Sequence, residues 1–437
     1  MKNTFPIGFE VPLSRDPFRR ALKVGHGRAL LHVERHGARE VREDILEAAT
    51  TCKVHDPQVE GLRADWLAEL CLKAELVDSL VERVPAGTSY DRRLRCALLK
   101  EFASRGHDRA RTALYEACVR DETSSEVFGC YEILELDGES GLVFVARTLG
   151  RMLEMDTEFW VDDFLLRAFD DQHGKDQAVG ILEKHAPDDV AVRRFLDAVT
   201  PAHVPATRPR VRGSKTRRSS DEIVQKISTE DSAFHGGPYW GRHASVVELE
   251  PLVRIALSDA APLVLENALR CLSGSRALPF EPRLLDLLEH ENARVRMFCA
   301  RTLGHHVEPR IRTAGLSALN GDLDVAVTLL RLNAVADDGP RIAAQLHPLQ
   351  DPHDQHAVVS SLVHLLEDNR DNQEPLLALY IYEHSPCMNC RSQATRWLRD
   401  ANACPSWLLA EGIRDASGQV REICSGKSAP RDRSSML

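Results

Sequence analysis

Residues 384–390, HSPCMNC, bring together side chains that could bind a metal ion or react as thiolates. Cys387 and Cys390 form a C-x2-C pair, and His384 and Cys404 are further soft ligands nearby. A structural zinc site requires four such groups in a tetrahedral array. Because no second C-x2-C pair accompanies the first, we predict that these cysteines have a structural role in the core, and we do not favour a metal site. A metal site and a redox dithiol remain the alternatives. The repeat pattern of the chain places Cys387 at the cap of a helix and Cys390 in its first turn, where the helix dipole favours a thiolate.

A second candidate is the segment FHGGPYWGRH, residues 234–243, which combines glycines, aromatic rings and cations. Aromatic residues and arginine are frequent anchors of binding sites. Tyr239, Trp240, Arg242 and His243 are therefore candidate partner-binding residues on a non-helical stretch. The alternative is that the two aromatic rings cap the apolar end of a helical array while the glycines turn the chain.

The third candidate is a basic, proline-containing segment, in which six cations occur between residues 208 and 218. They are Arg208, Arg210, Arg212, Lys215, Arg217 and Arg218. We interpret the segment as a solvated linker that its charge and prolines keep extended. The alternatives are contact with an anionic partner or nucleic acid, and regulatory modification of Ser219 or Ser220.

The fourth candidate is HVERH, in which His32 and His36 would share one helical face. The zinc-protease pattern requires glutamate directly after the first histidine, but Glu34 stands one position later. We therefore predict a surface histidine pair. Phosphate-binding loops, Rossmann glycine patterns and nucleophile elbows are missing from the sequence, so no catalytic residue and no cofactor are predicted.

The composition narrows the function classes. The 437 residues have a formal net charge of -10 and only 5% aromatic residues, which makes a nucleic-acid partner unlikely. The eleven cysteines are an odd number and indicate reduced thiols. Neither a signal peptide nor an apolar stretch of membrane-spanning length is apparent, so we expect a cytoplasmic protein without membrane insertion.

The elements that would position these residues are repeats. In each repeat a polar turn is followed by a Val-Arg-like pair, and we call the second residue of that pair the anchor. Small or apolar residues follow the anchor at three, four and seven positions, on one helical face. In NARVRMFCARTLG, for example, Cys299 and Leu303 follow the anchor Arg296. Successive anchors are 30 to 34 residues apart within each half of the chain. They are Arg63, Arg95, Val127, Val161 and Arg193, then Leu265, Arg296, Ala326, Val358, Arg391 and Arg421.

A second helical pattern lies between successive anchors, as in LVFVARTLGRML, residues 142–153. Each repeat is therefore predicted to be a helix pair. Alternating strand patterns are nearly absent. The sequence thus predicts an all-α protein.

The pattern D/N-x-x-x-R-x-x-A/C followed by leucine resembles the short bacterial HEAT-like repeats first recognised in phycobilisome lyases. Asp91, Asp189 and Asn292 each stand four residues before an anchor arginine. The resemblance covers residues 60–425. It implies that the acidic or amide residue caps the second helix and that the arginine joins a ladder between repeats. The ladder arginine is replaced at Val127, Val161, Ala326 and Val358.

A helix pair cannot bury its apolar face alone, so stacked pairs should form an α-solenoid with a concave surface. We predict an N-terminal array over residues 1–200, a linker over 201–220, a C-terminal array over 221–425 and a disordered tail over 426–437. An irregular segment is expected at 228–243.

The expected function is that of a non-enzymatic scaffold or adaptor that binds a protein partner of unknown identity. One alternative, implied by the resemblance, is a bilin-lyase-like enzyme or chaperone. The other is a nucleic-acid-binding protein that uses the basic linker.

Overall fold

The computed structural model describes residues 11–83, 87–119, 126–156, 158–203, 218–369 and 374–426. Within these ranges the regular secondary structure consists of 26 helices, and there is no strand. The prediction of an all-α protein is confirmed. None of the helices in the described ranges is both long and apolar enough to cross a bilayer.

Twelve α-helices of the described chain precede residue 204. They are α1 (Arg15–Val24), α2 (Arg28–His36), α3 (Arg42–Thr50), α4 (Pro57–Glu60), α5 (Ala64–Lys73), α6 (Val77–Glu82), α7 (Ser89–Ser104), α8 (Asp108–Val119), α9 (Cys130–Met155), α10 (Phe164–His173), α11 (Gln177–His185) and α12 (Val190–His203).

The remaining helices of the described residues begin after residue 217. They are α13 (Ser220–Thr229), α14 (Gly237–Arg242), α15 (Val246–Ala256), α16 (Pro262–Leu272), the 3-10 helix Pro282–Glu289, α17 (Ala293–Leu303), α18 (Pro309–Ala318), α19 (Leu323–Leu330), α20 (Asp338–Ala343), α21 (Pro352–Asp368), α22 (Pro375–His384), α23 (Met388–Asp400), α24 (Ser406–Gly412) and α25 (Gly418–Ser425).

The chain divides into two compact units. The N-terminal unit comprises Phe9–Val211 and Glu411–Gly418, and the C-terminal unit comprises Arg212–Ala410, Gln419–Leu437 and Met1–Gly8. The sequence prediction placed Glu411–Gly418 in the C-terminal array, but these residues belong to the N-terminal unit. In the N-terminal unit the buried Glu411 carboxylate accepts hydrogen bonds from Arg28 Nε at 2.8 Å and Nη2 at 2.9 Å. The repeat spacing could not predict this contact, because the two residues are far apart in the sequence.

In the C-terminal unit, five helices that carry anchor residues stack on one another. Helix α16 contacts α17, α17 contacts α19, α19 contacts α21, and α21 contacts α23. The anchors on these helices are Leu265, Arg296, Ala326, Val358 and Arg391. Leu269, Leu303 and Leu330 are fully buried in the stack. Residues one repeat apart in the sequence therefore lie on neighbouring helices.

Side chains at the helix starts set the ends of these helices and join them. The Asn292 side chain accepts hydrogen bonds from the backbone N–H groups of Arg294 and Val295, so Asn292 caps α17. Arg296 donates from Nη2 to Asp322 Oδ2 at 3.2 Å, and Asp322 caps α19. The arginine thus connects one helix to the cap of the next.

The N-terminal unit follows the repeat pattern less closely. Helix α9 is interrupted at Gly138, which has φ 53° and ψ -120°. Val127 and Val161 precede α9 and α10 instead of lying within them. Asp91 does not cap α7, because Thr88 is the cap and Asp91 is its partner in a capping box.

Three local predictions need correction or fall outside the described residues. The predicted linker 201–220 is helical at its start, because α12 extends to His203, and Ser219 already caps α13. The irregular segment 228–243 contains the short helix α14. Its glycines allow close helix packing, since a Cβ on Gly241 would lie 1.8 Å from the Cys271 carbonyl oxygen. The predicted tail lies outside the described residues from 427 onward.

The predicted surface histidine pair is also wrong for one member. His32 is only 5% exposed and accepts a hydrogen bond at Nδ1 from the Leu13 N–H at 3.0 Å. Its ring packs beside Phe18, and burial lowers its pKa. His36 is exposed. The i,i+4 spacing puts both histidines on one face of α2, but it does not show which part of that face other elements cover.

Candidate functional site

Cys387 and Cys390 occupy the start of α23 in the C-terminal unit. Cys387 is the N-cap residue, as the repeat pattern predicts, and Cys390 lies in the first turn. Both side chains are 7% exposed. The Ser385 hydroxyl donates to the Cys387 carbonyl oxygen at 2.8 Å and accepts from the Cys387 N–H at 3.1 Å. These bonds hold the backbone of Cys387 in place.

The third member of the cluster, His356, comes from the preceding stacked helix α21. Its Nε2 lies 3.6 Å from Cys390 Sγ. The potential ligand atoms of His356, Cys387 and Cys390 all lie within 4.8 Å of one another. Sequence reasoning missed His356, although it stands 34 residues before Cys390, about one repeat. That spacing on stacked helices is the signal that could have found it.

The environment of Cys387 stabilises its thiolate. A hydrogen bond from the Cys390 thiol lowers the Cys387 pKa most, and a hydrogen bond from His356 and the backbone N–H groups of Asn389 and Cys390 add to the effect. Burial acts in the opposite direction. The net result is a Cys387 pKa of about 4. A thiolate is the form that binds metals and attacks electrophiles.

The other two sequence candidates lie outside this cluster. His384 ends α22, and its ring packs against Tyr380 with centroids 4.8 Å apart. Cys404 follows α23, is half-buried, and has its pKa raised by burial. In the described part of the chain the structure brings together His356, Cys387 and Cys390, without His384 or Cys404.

A groove with a volume of about 620 Å³ lies on the stacked helices of the C-terminal unit, and His356 is part of its wall. The described residues that line it include three arginines, four histidines and several hydroxyls, but no carboxylate. The cationic and imidazole side chains are Arg242, Arg301, Arg331, His305, His353, His356 and His364. We call this surface the arginine groove.

The arginines of the groove continue the repeat spacing. Arg301 and Arg331 each follow an anchor by five residues, and Arg270 holds the same position one repeat earlier. The guanidinium of Arg301 lies 5.3 Å from the centroid of the Phe298 ring, and that of Arg270 lies 4.2 Å from it. Such contacts orient the guanidinium groups without neutralising them.

Nearby carboxylates balance only part of this charge. Arg331 forms an ion pair with Asp368, and His364 Nδ1 lies 3.6 Å from Glu367. The Asp324 carboxylate, which accepts a hydrogen bond from the groove residue Ser361, interacts electrostatically with Arg301. The half-buried His305 ring has its Nε2 2.9 Å from the Ser273 carbonyl oxygen, and burial lowers the pKa of His305. The groove therefore retains positive charge.

The aromatic segment 234–243 contributes only partly to an accessible surface. Trp240 is 5% exposed and donates from Nε1 to the Arg218 carbonyl oxygen at 2.9 Å, so it is a core residue and not a partner contact. Tyr239 is 71% exposed and packs edge-on against His243. Arg242 lines the arginine groove.

Most of the basic linker falls outside the described residues. Arg218 is exposed and immediately precedes the cap of α13. The other five predicted contacts, Arg208, Arg210, Arg212, Lys215 and Arg217, lie outside the described ranges.

The fold and the site define an all-helical protein whose C-terminal unit presents a cationic groove beside a Cys-His-Cys cluster. No family model matches the chain, and no curated protein matches it. One solved structure similar to it is the crystal structure of an engineered protein. The match covers 94% of this chain and 92% of that chain at 18% identity, with a TM-score of 0.20. A TM-score this low does not indicate a shared fold.

Proposed function

We propose that the protein is a HEAT-like α-solenoid adaptor without enzymatic activity, and that the arginine groove of its C-terminal unit binds an acidic segment of a protein partner. The observation that carries the proposal is the lining of the groove, in which Arg242, Arg301 and Arg331 occur without a lining carboxylate among described residues.

The HEAT-like assignment is supported by the helix stack and its connections. Anchor-bearing helices pack in sequence order, which is the arrangement expected of repeats that share one core. Asn292 caps its helix, and Arg296 reaches the cap of the next helix at Asp322. These are the roles that the resemblance assigns to the amide and the arginine of the repeat.

An acidic peptide matches the groove better than a nucleic acid does. Arginine pairs with carboxylates through two parallel hydrogen bonds, and the Ser360 hydroxyl on the groove wall can bond to a peptide backbone. The Ser361 hydroxyl already donates to Asp324 Oδ1 at 2.7 Å. A nucleic acid would gain most of its affinity from many phosphate contacts along a longer basic surface.

The test measures binding of a fluorescent ten-residue glutamate-rich peptide to the full chain by anisotropy at low and moderate salt. We expect Arg301→Ala to weaken binding about 5- to 20-fold, because one charge-assisted hydrogen-bonding group is lost. Arg301→Glu should abolish binding, because it adds repulsion. A labelled DNA duplex and a single-stranded oligonucleotide are tested beside the peptide.

Arg310→Ala is the matched control. Arg310 also packs against a phenylalanine, Phe280, with 4.9 Å between the guanidinium and the ring centroid, but it does not line the groove. Equal losses at Arg301 and Arg310, or no peptide binding by the wild type, would contradict the proposal. So would oligonucleotide binding that is tighter than peptide binding and is lost when the six cations from Arg208 to Arg218 are neutralised.

A further inference from the structure

We propose that His356, Cys387 and Cys390 bind a zinc ion, with its fourth coordination position open towards the arginine groove. This site goes beyond the proposed peptide-binding function and does not depend on it. It is also distinct from the four-residue set that the sequence suggested, since the imidazole comes from α21 and not from α22.

The distance between the ligand atoms on α21 and α23 fits a zinc ion. With Zn–S of about 2.3 Å and Zn–N of about 2.0 Å, a tetrahedral ion separates sulfur and nitrogen ligands by about 3.5 Å. Cys390 Sγ and His356 Nε2 are 3.6 Å apart. The remaining ligand-atom separations are no longer than 4.8 Å, so modest side-chain rotations would complete the triad.

The ligand chemistry favours zinc over harder cations. Thiolate sulfur and imidazole nitrogen are ligands of Zn²⁺, whereas Mg²⁺ and Ca²⁺ prefer oxygen. Two thiolates and one neutral imidazole balance the charge of the ion. Binding replaces any thiol proton that remains on the two cysteines, which passes to the solvent, and no electron transfer is required.

The ligands are already positioned by the fold. Cys387 and Cys390 lie on one end of α23, and the Ser385 hydroxyl holds the backbone at Cys387. His356 lies on α21, which packs directly against α23. A site that needs little rearrangement loses little conformational entropy when the ion binds.

The groove provides the access to the fourth position. His356 is both a wall residue of the groove and a member of the cluster, while the two cysteines are nearly buried. Three protein ligands and one open position are typical of zinc sites that exchange a water molecule or an anionic ligand. The fourth ligand expected here is water, which a carboxylate can replace.

The test titrates the reduced, chelator-stripped full chain with Co²⁺ and then with Zn²⁺. We expect about one ion per chain, and thiolate-to-cobalt charge-transfer absorption with the intensity of two sulfur ligands. Zn²⁺ should displace the cobalt and abolish the absorption. Because this spectrum is recorded on the wild-type protein, the ligand count does not depend on whether a variant folds.

Cys387→Ser and Cys390→Ser should each weaken zinc binding at least about 100-fold. His356→Gln should weaken it by a slightly smaller factor. Cys404→Ser and His384→Gln are matched controls from the sequence-derived set and should bind zinc as the wild type does. Circular dichroism checks that every variant is folded. Less than half an equivalent of bound zinc in the wild type, or equal losses in the controls, overturns the proposal.

The metal titration contains no peptide, so the two proposals can fail separately. Arg301→Ala should keep its zinc while it loses peptide affinity. Loss of zinc in Arg301→Ala would contradict the assignment of the ligands to His356, Cys387 and Cys390.

Discussion

Each unit contains two cysteines whose side chains are hydrogen-bonded, one of them at a helix start, and the two helix-start thiols behave in opposite ways. Cys387 caps α23 and has a pKa of about 4, whereas Cys130 begins α9 and has a pKa well above the usual range. The Cys130 thiol hydrogen-bonds to Cys118, which raises its pKa most, and burial adds to the effect. Nearby Glu132 raises it further.

The difference shows that a helix N-terminus alone does not activate a thiol. Cys387 receives hydrogen bonds from Cys390, His356 and backbone N–H groups, which stabilise its thiolate. Cys130 lies among apolar neighbours and close to a carboxylate, and both disfavour a negative charge. Only the first pair is equipped for metal binding.

The largest expected effect is on alkylation at pH 5 in the presence of a chelator. Cys387 should remain largely ionised, and we expect iodoacetamide to modify it about 1000-fold faster than Cys130, even after allowance for the lower nucleophilicity of an acidic thiolate. Both side chains are nearly buried, at 7% and 4% exposure, so access is similar. Peptide mass spectrometry measures both rates.

The rate at Cys387 should stay nearly constant as the pH falls from 8 to about 5 and should drop below about 4, where the thiolate is protonated. A midpoint near 9, or equal modification of Cys130, would contradict the contrast between the two pairs.

The second prediction tests whether the two units are packed alike despite their different cysteines. A Cβ on Gly241 would lie 1.8 Å from the Cys271 carbonyl oxygen, and one on Gly150 would lie 1.9 Å from the Ala191 carbonyl oxygen. We expect Gly241→Ala and Gly150→Ala each to lower the free energy of unfolding by about 3 kcal/mol. Urea unfolding followed by circular dichroism measures the change.

Gly180→Ala is the control, because Gly180 is inside α11 and no atom lies within 4 Å of its added Cβ. It should raise the free energy of unfolding by about 0.5 to 1 kcal/mol. A neutral Gly150→Ala with a destabilising Gly241→Ala would mean that the close helix approach matters in only one unit.

The smallest expected effect is on stability at alkaline pH. Burial raises the pKa of Cys71 in the N-terminal unit and of Cys271 in the C-terminal unit to about 12, from an ordinary 9.0. Their stabilising contribution is complete below pH 9 and is lost as the pH rises towards 12, because the unfolded thiols ionise first. The free energy of unfolding should therefore fall with pH.

Cys71→Ala and Cys271→Ala should each reduce that slope by up to about 1.4 kcal/mol per pH unit, as measured by urea unfolding between pH 9 and 10. Both variants should lose some stability at pH 7, where a thiol is removed from the core. A slope that matches the wild type in either variant would show that its thiol ionises equally in the folded and unfolded states.

The repeat spacing predicted the helical elements of the C-terminal unit well. Each stacked helix must present apolar residues to the next helix at equivalent positions of the repeat. The anchors Arg296 and Ala326 lie on helices in contact, as the pattern requires. It predicted α9 less well, since the break at Gly138 depends on a backbone conformation that the pattern does not encode.

The candidate site was only half predictable. The C-x2-C spacing showed Cys387 and Cys390, and the repeat pattern placed them at a helix start. His356 was missed because its relation to Cys390 runs across two stacked helices. Trp240 was misplaced because a loop-like composition, rich in glycine, here serves close packing against α16.

By itself, the sequence determined the helical class, the repeat period and the local position of the cysteine pair, because these depend on residues near one another in the chain. The tertiary structure decided which imidazole approaches the thiols, which arginines share a groove and which thiols have raised pKa values. These properties depend on burial and on neighbours from other helices, and burial determines the cost of forming a charge.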